Sequence, residues 1–435
     1  MIRGDAGTPP VAVPAGVLAG SQYLAAGVSF LSALLVARWL GPGGYGAAAL
    51  VMAYPTLVWS LAAVKSITVV TRDLAARRAS REREQVGEVC AIGYGMDMLS
   101  GVAALVIVGA TVPWAARSFG LDGGAWLSMV YAAAIPLASL RGTSLAVLTS
   151  WERFGVIAAL QVFDPALTLV LVASAIAAGL GVPGVILGTA ASRAALGVAS
   201  TAVAVRVLRR EGITAWWRTP WPQVVRLLRE LRAAFGWSYL AASMGAVITQ
   251  LPIIILGRGR GPEEAGYYRL AAGMMTVGSH LEGAMSQVAY PALTARRAGR
   301  EGVLRRLTRD WTLWPGLPAA AAVLATIPLL QFIIPALLGA GFAGAVSGAQ
   351  VMLLGVAGGA LLFWLNAYHY AAGRFDLVGM GAMLHGLLIA VLGWTVGERW
   401  GFIGLAVLAT LGKVAALLWL LGMTRRSVDV ARRGV

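Results

Sequence analysis

Among the ionisable side chains inside stretches otherwise apolar enough to cross a bilayer, eight stand out: Lys65, Asp97, Arg141, Asp164, Arg193, Glu282, His385 and Lys413. A charge at the centre of a membrane span costs about 2.5–3.5 kcal/mol on insertion scales, so such residues mark binding sites, ion pathways or internal pairs. Arg141, Arg193, Lys413 and Lys65 have the chemistry to hold an anion, and a guanidinium fork donates two parallel hydrogen bonds to phosphate oxygens. Asp97, Asp164, Glu282 and His385 have the chemistry to carry a coupling ion or proton, His385 because an imidazole titrates near neutral pH. Covalent and redox chemistry finds no support. Cys90 is the single cysteine, which excludes an intramolecular disulfide. His280, His369 and His385 do not have the His-Glu-x-x-His spacing of a zinc site. Gly412-Lys413 is no phosphate loop, since Val414 follows it and Val407 stands where the first glycine belongs. No Gly-x-Ser-x-Gly elbow occurs. The sequence predicts a protein that is not an enzyme and takes no metal or cofactor.

The elements that must position these charges are membrane helices. Of 435 residues, 58% are hydrophobic and 12% charged, where an average soluble protein has about 25% charged. A bilayer core needs about 20 apolar residues per helix. By that length twelve spans fall near 16–37, 47–70, 88–114, 125–149, 155–180, 183–206, 235–256, 265–293, 312–337, 346–371, 376–397 and 402–424. The first lacks a cleavage site at signal-peptide distance and reads as an uncleaved anchor. The net charge of +16 suggests nucleic acid until the basic residues are sorted by side. The termini and the loops after even-numbered spans hold 25, the opposite loops five. That bias predicts a cell-membrane protein with both termini cytoplasmic, and leaves no case for nucleic-acid binding. Trp39, Trp114, Trp126, Trp151, Trp311, Trp314 and Trp400 fall at span ends, where interfacial anchors belong.

The chain divides into an N-terminal six-helix bundle (1–206), a linker (207–234) and a C-terminal six-helix bundle (235–435). In the linker, Trp216, Trp217 and Trp221 precede Val224, Leu227, Leu228 and Leu231 on one helical face, the pattern of an amphipathic helix on the cytoplasmic interface. A trace of duplication survives. Leu40-Gly41-Pro42-Gly43-Gly44-Tyr45-Gly46 follows span 1 and Gly259-Arg260-Gly261-Pro262-Glu263-Glu264-Ala265-Gly266-Tyr267 follows span 7, about 220 residues later. Both lie on the outer side, and related halves place a substrate site at their interface.

Ala37 to Gly46 and Leu256 to Tyr268 also resemble loops of the polysaccharide and lipid-linked oligosaccharide flippases, the O-antigen flippases among them. Their superfamily includes the multidrug and toxin extrusion transporters. Leu338-Gly339 and Gly341-Phe342-Ala343-Gly344-Ala345 are similar to another recurring stretch. The lipid II flippases of that superfamily, with fourteen spans, resemble the chain less. The resemblance implies an all-α protein with two pseudo-symmetric bundles around a central cavity, working by alternating access. It implies as substrate an oligosaccharide on a polyprenyl pyrophosphate, turned from the inner to the outer leaflet. Membrane lipids, a polysaccharide polymerase and glycosyltransferases are the implied partners.

By helix rise, Asp97, Arg141 and Asp164 lie roughly 12–14 Å from the cytoplasmic end of their spans. Arg193 is nearer the middle and Lys65 shallower; Glu282, His385 and Lys413 fall near the midplane. One reading has Arg141, Arg193, Lys413 and Lys65 hold the pyrophosphate. The other pairs Asp97, Asp164, Arg141 and Arg193 with each other, lets Lys65 snorkel to the surface, and pairs Lys413 with Glu282. Arg269, near the outer end of span 8, is expected to snorkel. Pro55, Pro136 and Pro165 are candidate bends. A cell interior is negative, so moving a pyrophosphate outward is downhill by about 2.3 kcal/mol per charge per 100 mV. A cation-coupled multidrug exporter of the same superfamily is the alternative, and a major-facilitator transporter is another. The latter is weakened because Arg72 to Arg78 matches only part of its loop signature.

Overall fold

The computed structural model describes residues 12–63, 70–71, 73–74, 77–78, 83–119, 123–214, 221–296 and 309–432. Lys65, Trp216 and Trp217 lie outside them. Among the described residues the fold is helical throughout, with no strand. The helices are α1 (Ala12–Ala62), α2 (Arg83–Phe119), α3 (Ala125–Ser139), α4 (Arg141–Ser150), α5 (Phe154–Ala177), α6 (Gly181–Arg210) and α7 (Trp221–Gly259). They continue with α8 (Pro262–Arg296), α9 (Leu317–Thr326), α10 (Leu330–Leu338), α11 (Val346–Leu361), α12 (Trp364–Ala371) and α13 (Phe375–Arg432).

Helix breaks reconcile these elements with twelve spans. The first two expected spans run together in α1 and part at Gly41, whose φ of 66° is closed to most side chains. The last two share α13 and part at Gly401, at φ 60°. At this second break the Glu264 carboxylate accepts the Phe402 N–H at 2.8 Å, so a residue of α8 caps the start of the last span. Span 9 is α9 and α10 together, entered through a π-turn at Thr312–Gly316 that contains Pro315, and bent by 60° around Pro328. Among the described residues, eight helices are long and apolar enough to cross a membrane, or nine with that bent pair counted as one span. Helix α8, the expected span 8, has the length but not the apolarity.

Packing is the reverse of a soluble protein's. The interior is rich in alanine, with Ala37, Ala104, Ala265, Ala271 and Ala406 fully buried, while Leu99 and Val391 are about 70% exposed. Lipid offers large side chains the same apolar surroundings as a core, and small residues inside let helices approach closely, beside buried large ones such as Tyr131, Tyr268 and Ile253 to Leu256. Trp114, Trp126, Trp314 and Trp400 are exposed, as anchors should be; Trp151 is buried under the Arg78 guanidinium. The linker's amphipathic segment does not form a separate helix: α7 runs unbroken from Trp221 through span 7. Of the three candidate prolines, only Pro136 sits near a break, four residues before Leu140 divides α3 from α4.

The halves meet where the repeated loops face each other. A Cβ on Gly46 would overlap the Pro262 carbonyl oxygen, and one on Gly266 would overlap the Pro42 carbonyl oxygen. Each loop thus presents a glycine to the other's proline, a reciprocal contact that only a hydrogen side chain permits. Phe342 is buried beside it, with ring centroids 6.2 Å from Tyr45 of the first half and 6.3 Å from Tyr267 of the second. Replacing Gly46 with Val is expected to hold the loops apart. In a Cys90→Ser background, a cysteine at position 267 should then react faster with an impermeant maleimide; an unchanged rate would show the contact to be dispensable for closure.

Candidate transport cavity

A cavity of about 640 Å³ opens between the halves. Its walls come from α1 between Gln22 and Tyr45, from Arg141 at the start of α4, from Gln161 to Pro165 of α5, from Thr249 of α7 and from Arg269 to His280 of α8. The reciprocal glycine contact lies beyond its Tyr45 end. Near Gln22, Ser21 donates to the Gln161 side chain at 2.8 Å and ties α1 to α5.

Arg141 lines the cavity directly after Leu140, the residue that divides α3 from α4 within span 4. The break at Leu140 also frees amides in the first turn of α4, and the Asp97 carboxylate accepts the Thr143 N–H at 2.8 Å. Asp97 is buried and works as a cap supplied by a neighbouring helix. Replacing Asp97 with Ala should cost about 1–2 kcal/mol, the usual worth of a strong cap, read as a lower melting temperature in detergent. An unchanged melting temperature would show that the cap contributes nothing.

Within the cavity the Arg141 guanidinium pairs with Asp164 at 3.0 Å. Its Nε is buried with no hydrogen-bond partner among the described residues. The α8 wall adds Arg269 and His280. Two arginines against one aspartate leave the lining net positive with histidine neutral, which suits an anion.

The other expected site residues are placed elsewhere. Arg193 lies over the buried Tyr131 ring, 5.2 Å from its centroid, and does not line this cavity. Lys413 bonds to Glu282 at 2.5 Å and to Ser279 at 3.4 Å, inside the C-terminal bundle. His385 is buried against α13 near Gly412, with its Nε2 unpartnered among the described residues. Of the expected layer, only Arg141 and Asp164 meet in the central cavity. Arg269 and His280 join them. The reason is visible in α8, where Arg269, Gly273, Thr276 and His280 recur at helical spacing and form one polar face. That face keeps α8 below the apolarity of a lipid-exposed span and turns Arg269 inward rather than toward the surface.

The family described as polysaccharide biosynthesis protein matches residues 14–295, well over half of the chain. The chain belongs to this family. It is a multi-pass membrane transporter of the flippase and exporter type, and the major-facilitator alternative is set aside. It is similar to inner membrane protein YghQ of Escherichia coli strain K12, 22% identical over 298 residues covering 68% of this chain and 81% of that protein. In fold it is similar to the lipid II flippase MurJ in an inward closed conformation, with a TM-score of 0.77 at 12% identity, covering 94% of this chain and 87% of that one. It is also similar to an inward-facing multidrug resistance MATE transporter, with a TM-score of 0.72 at 16% identity over 95% of this chain and 96% of that one. In fold the chain is thus similar to both the lipid II flippase and the multidrug transporter. These solved structures share with the chain two pseudo-symmetric helix bundles around a central cavity.

Proposed function

We propose that this family member is a flippase that turns an oligosaccharide on a polyprenyl pyrophosphate from the inner to the outer leaflet of the cell's inner membrane, for surface polysaccharide synthesis. The observation that carries the reading is the Arg141–Asp164 pair in a net-positive cavity between the halves. The volume of about 640 Å³ falls within the range of small-ligand sites, so it takes the polar headgroup while the prenyl tail stays in lipid. The pyrophosphate sits between Arg141 and Arg269, and Asp164 keeps the Arg141 fork oriented. The units 1–206 and 235–435 rock about the cavity, joined by the linker at 207–234. Both termini are cytoplasmic by the distribution of arginine, which makes the Gly-Pro loops the outer gate and the present state inward-facing. Export of a pyrophosphate runs down the membrane potential, so no nucleotide site is needed. Lys65, Arg193 and Lys413 remain candidates for contact with the substrate in other states; Asp97, Asp164, Glu282 and His385 remain candidates for ion coupling. The polymerase and glycosyltransferases of the same synthesis are the proposed partners.

Deleting the gene in its host should abolish surface polysaccharide and leave lipid-linked oligosaccharide accumulating in the inner leaflet, with both reversed by the reintroduced gene. Normal polysaccharide together with new sensitivity to cationic drugs would replace this reading with the multidrug exporter.

A further inference from the structure

We propose that a second cavity, inside the C-terminal bundle, is a subsite for the sugar end of the substrate. The inference rests on the flippase reading above. This cavity has a volume of about 390 Å³ and is lined by Ser279, Glu282 and Ser286 of α8, Asn366 and Tyr370 of α12, and Phe363 beside them. Helix α8 links it to the central cavity, which it lines from Arg269 to His280 before lining the second from Ser279 to Ser286. At the helical rise, Arg269 and Ser286 stand about 25 Å apart along the axis. A pyrophosphate held at the arginines therefore leaves its glycan a path down one helix into the second cavity.

The lining has the chemistry of sugar recognition. Glu282 gives Oε1 to Lys413 and keeps Oε2 without a partner among the described residues. An ionised carboxylate takes strong hydrogen bonds from hydroxyl groups. The Asn366 amide, which both donates and accepts, and the Tyr370 hydroxyl also make no hydrogen bond among the described residues, and both side chains are exposed to the cavity. Phe363 and Tyr370 offer apolar ring faces against which the C–H face of a sugar packs, with the tyrosine keeping a polar tip. The Lys413 ammonium already balances the Glu282 charge. A free cation would meet that ammonium, whereas a neutral polyhydroxylated group leaves no charge uncompensated. The α11 backbone makes room for this carboxylate at Gly359, where a Cβ would overlap it.

The test compares two lipids in proteoliposomes: polyprenyl-pyrophosphoryl-N-acetylglucosamine, and the lipid-linked oligosaccharide extracted from the flippase-deleted host. Flipping is read from exposure of the sugar to membrane-impermeant periodate. Asn366→Ala with Tyr370→Ala is expected to lower the ratio of oligosaccharide to monosaccharide rates tenfold or more. An unchanged ratio overturns the subsite, whether both rates fall together or neither does. If the wild-type protein flips neither lipid, the flippase reading itself fails and the subsite with it.

Discussion

Replacing Arg141 with Ala is expected to lower export of lipid-linked oligosaccharide about 10–100-fold, the equivalent of one hydrogen bond to a charged group at roughly 1.5–3 kcal/mol. The protein should still reach the membrane at its normal level. Both partners of the Arg141–Asp164 pair are about one-third exposed to the cavity, so the aspartate left behind is solvated and the fold tolerates its loss of a partner. Arg141→Lys should fall between wild type and Ala, because an ammonium keeps the charge but not the fork. The decisive variant is the exchange Arg141→Asp with Asp164→Arg. It restores an ion pair at the same place but moves the guanidinium to α5. A purely structural pair would be rescued by the exchange; a guanidinium aimed at an anion would not. Full export in the exchanged protein would therefore remove Arg141 from the anion site. The assay is surface polysaccharide per cell, normalised to the amount of flippase in the membrane.

Breaking the second pair should have a different signature. Lys413 and Glu282 are each more than four-fifths buried and bonded at 2.5 Å. Removing one partner of a buried pair leaves an uncompensated charge, at a cost of about 3–5 kcal/mol. Lys413→Ala is therefore expected to lower the melting temperature in detergent by roughly 5–10 °C, on the scale by which stability moves melting temperature in large domains. Lys413→Met combined with Glu282→Gln removes both charges and should recover most of that loss, since an apolar replacement of a buried pair is often neutral in stability. The double variant also lacks the Glu282 carboxylate of the proposed glycan subsite, so it should stay stable and flip the oligosaccharide poorly. A melting temperature unmoved by Lys413→Ala would mean the ammonium is not tied to Glu282 in the folded protein.

Much of the fold could be read in the sequence because membrane spans announce themselves by length and apolarity. Two Gly-Pro segments about 220 residues apart marked the duplication. The kinks at Gly41 and Gly401 fall between expected spans, after 37 and after 397. What the sequence did not convey was where a helix divides within a span, as at Leu140 and around Pro328. The division at Leu140 matters most, because the Thr143 N–H just after it is free to bond the Asp97 carboxylate. It thereby converts Asp97 from an expected ionic partner into a cap for α4. Depth along a span was legible, but rotation about it was not. For that reason Arg193, at the right depth, is aimed at Tyr131, while Arg269, expected at the surface, faces the cavity. The polar face of α8 was present in the spacing of Arg269, Gly273, Thr276 and His280, and outweighs the prior that an arginine near a span end snorkels.

The reciprocal contact between the Gly-Pro loops has a consequence for how hard the gate is to open. Its closest approaches are carbonyl oxygens resting on glycine backbone, and contacts of the Cα–H···O kind are worth about 0.5–1 kcal/mol each. Among the described residues no ion pair joins the two loops. The latch is thus weak by construction, and the aromatic plug of Phe342 between Tyr45 and Tyr267 supplies most of the resistance. A headgroup that binds the open-gate state only a few kcal/mol more tightly is enough to invert the balance of the two states. On the proposed reading, cargo binding then releases the gate while the membrane potential sets the direction of export.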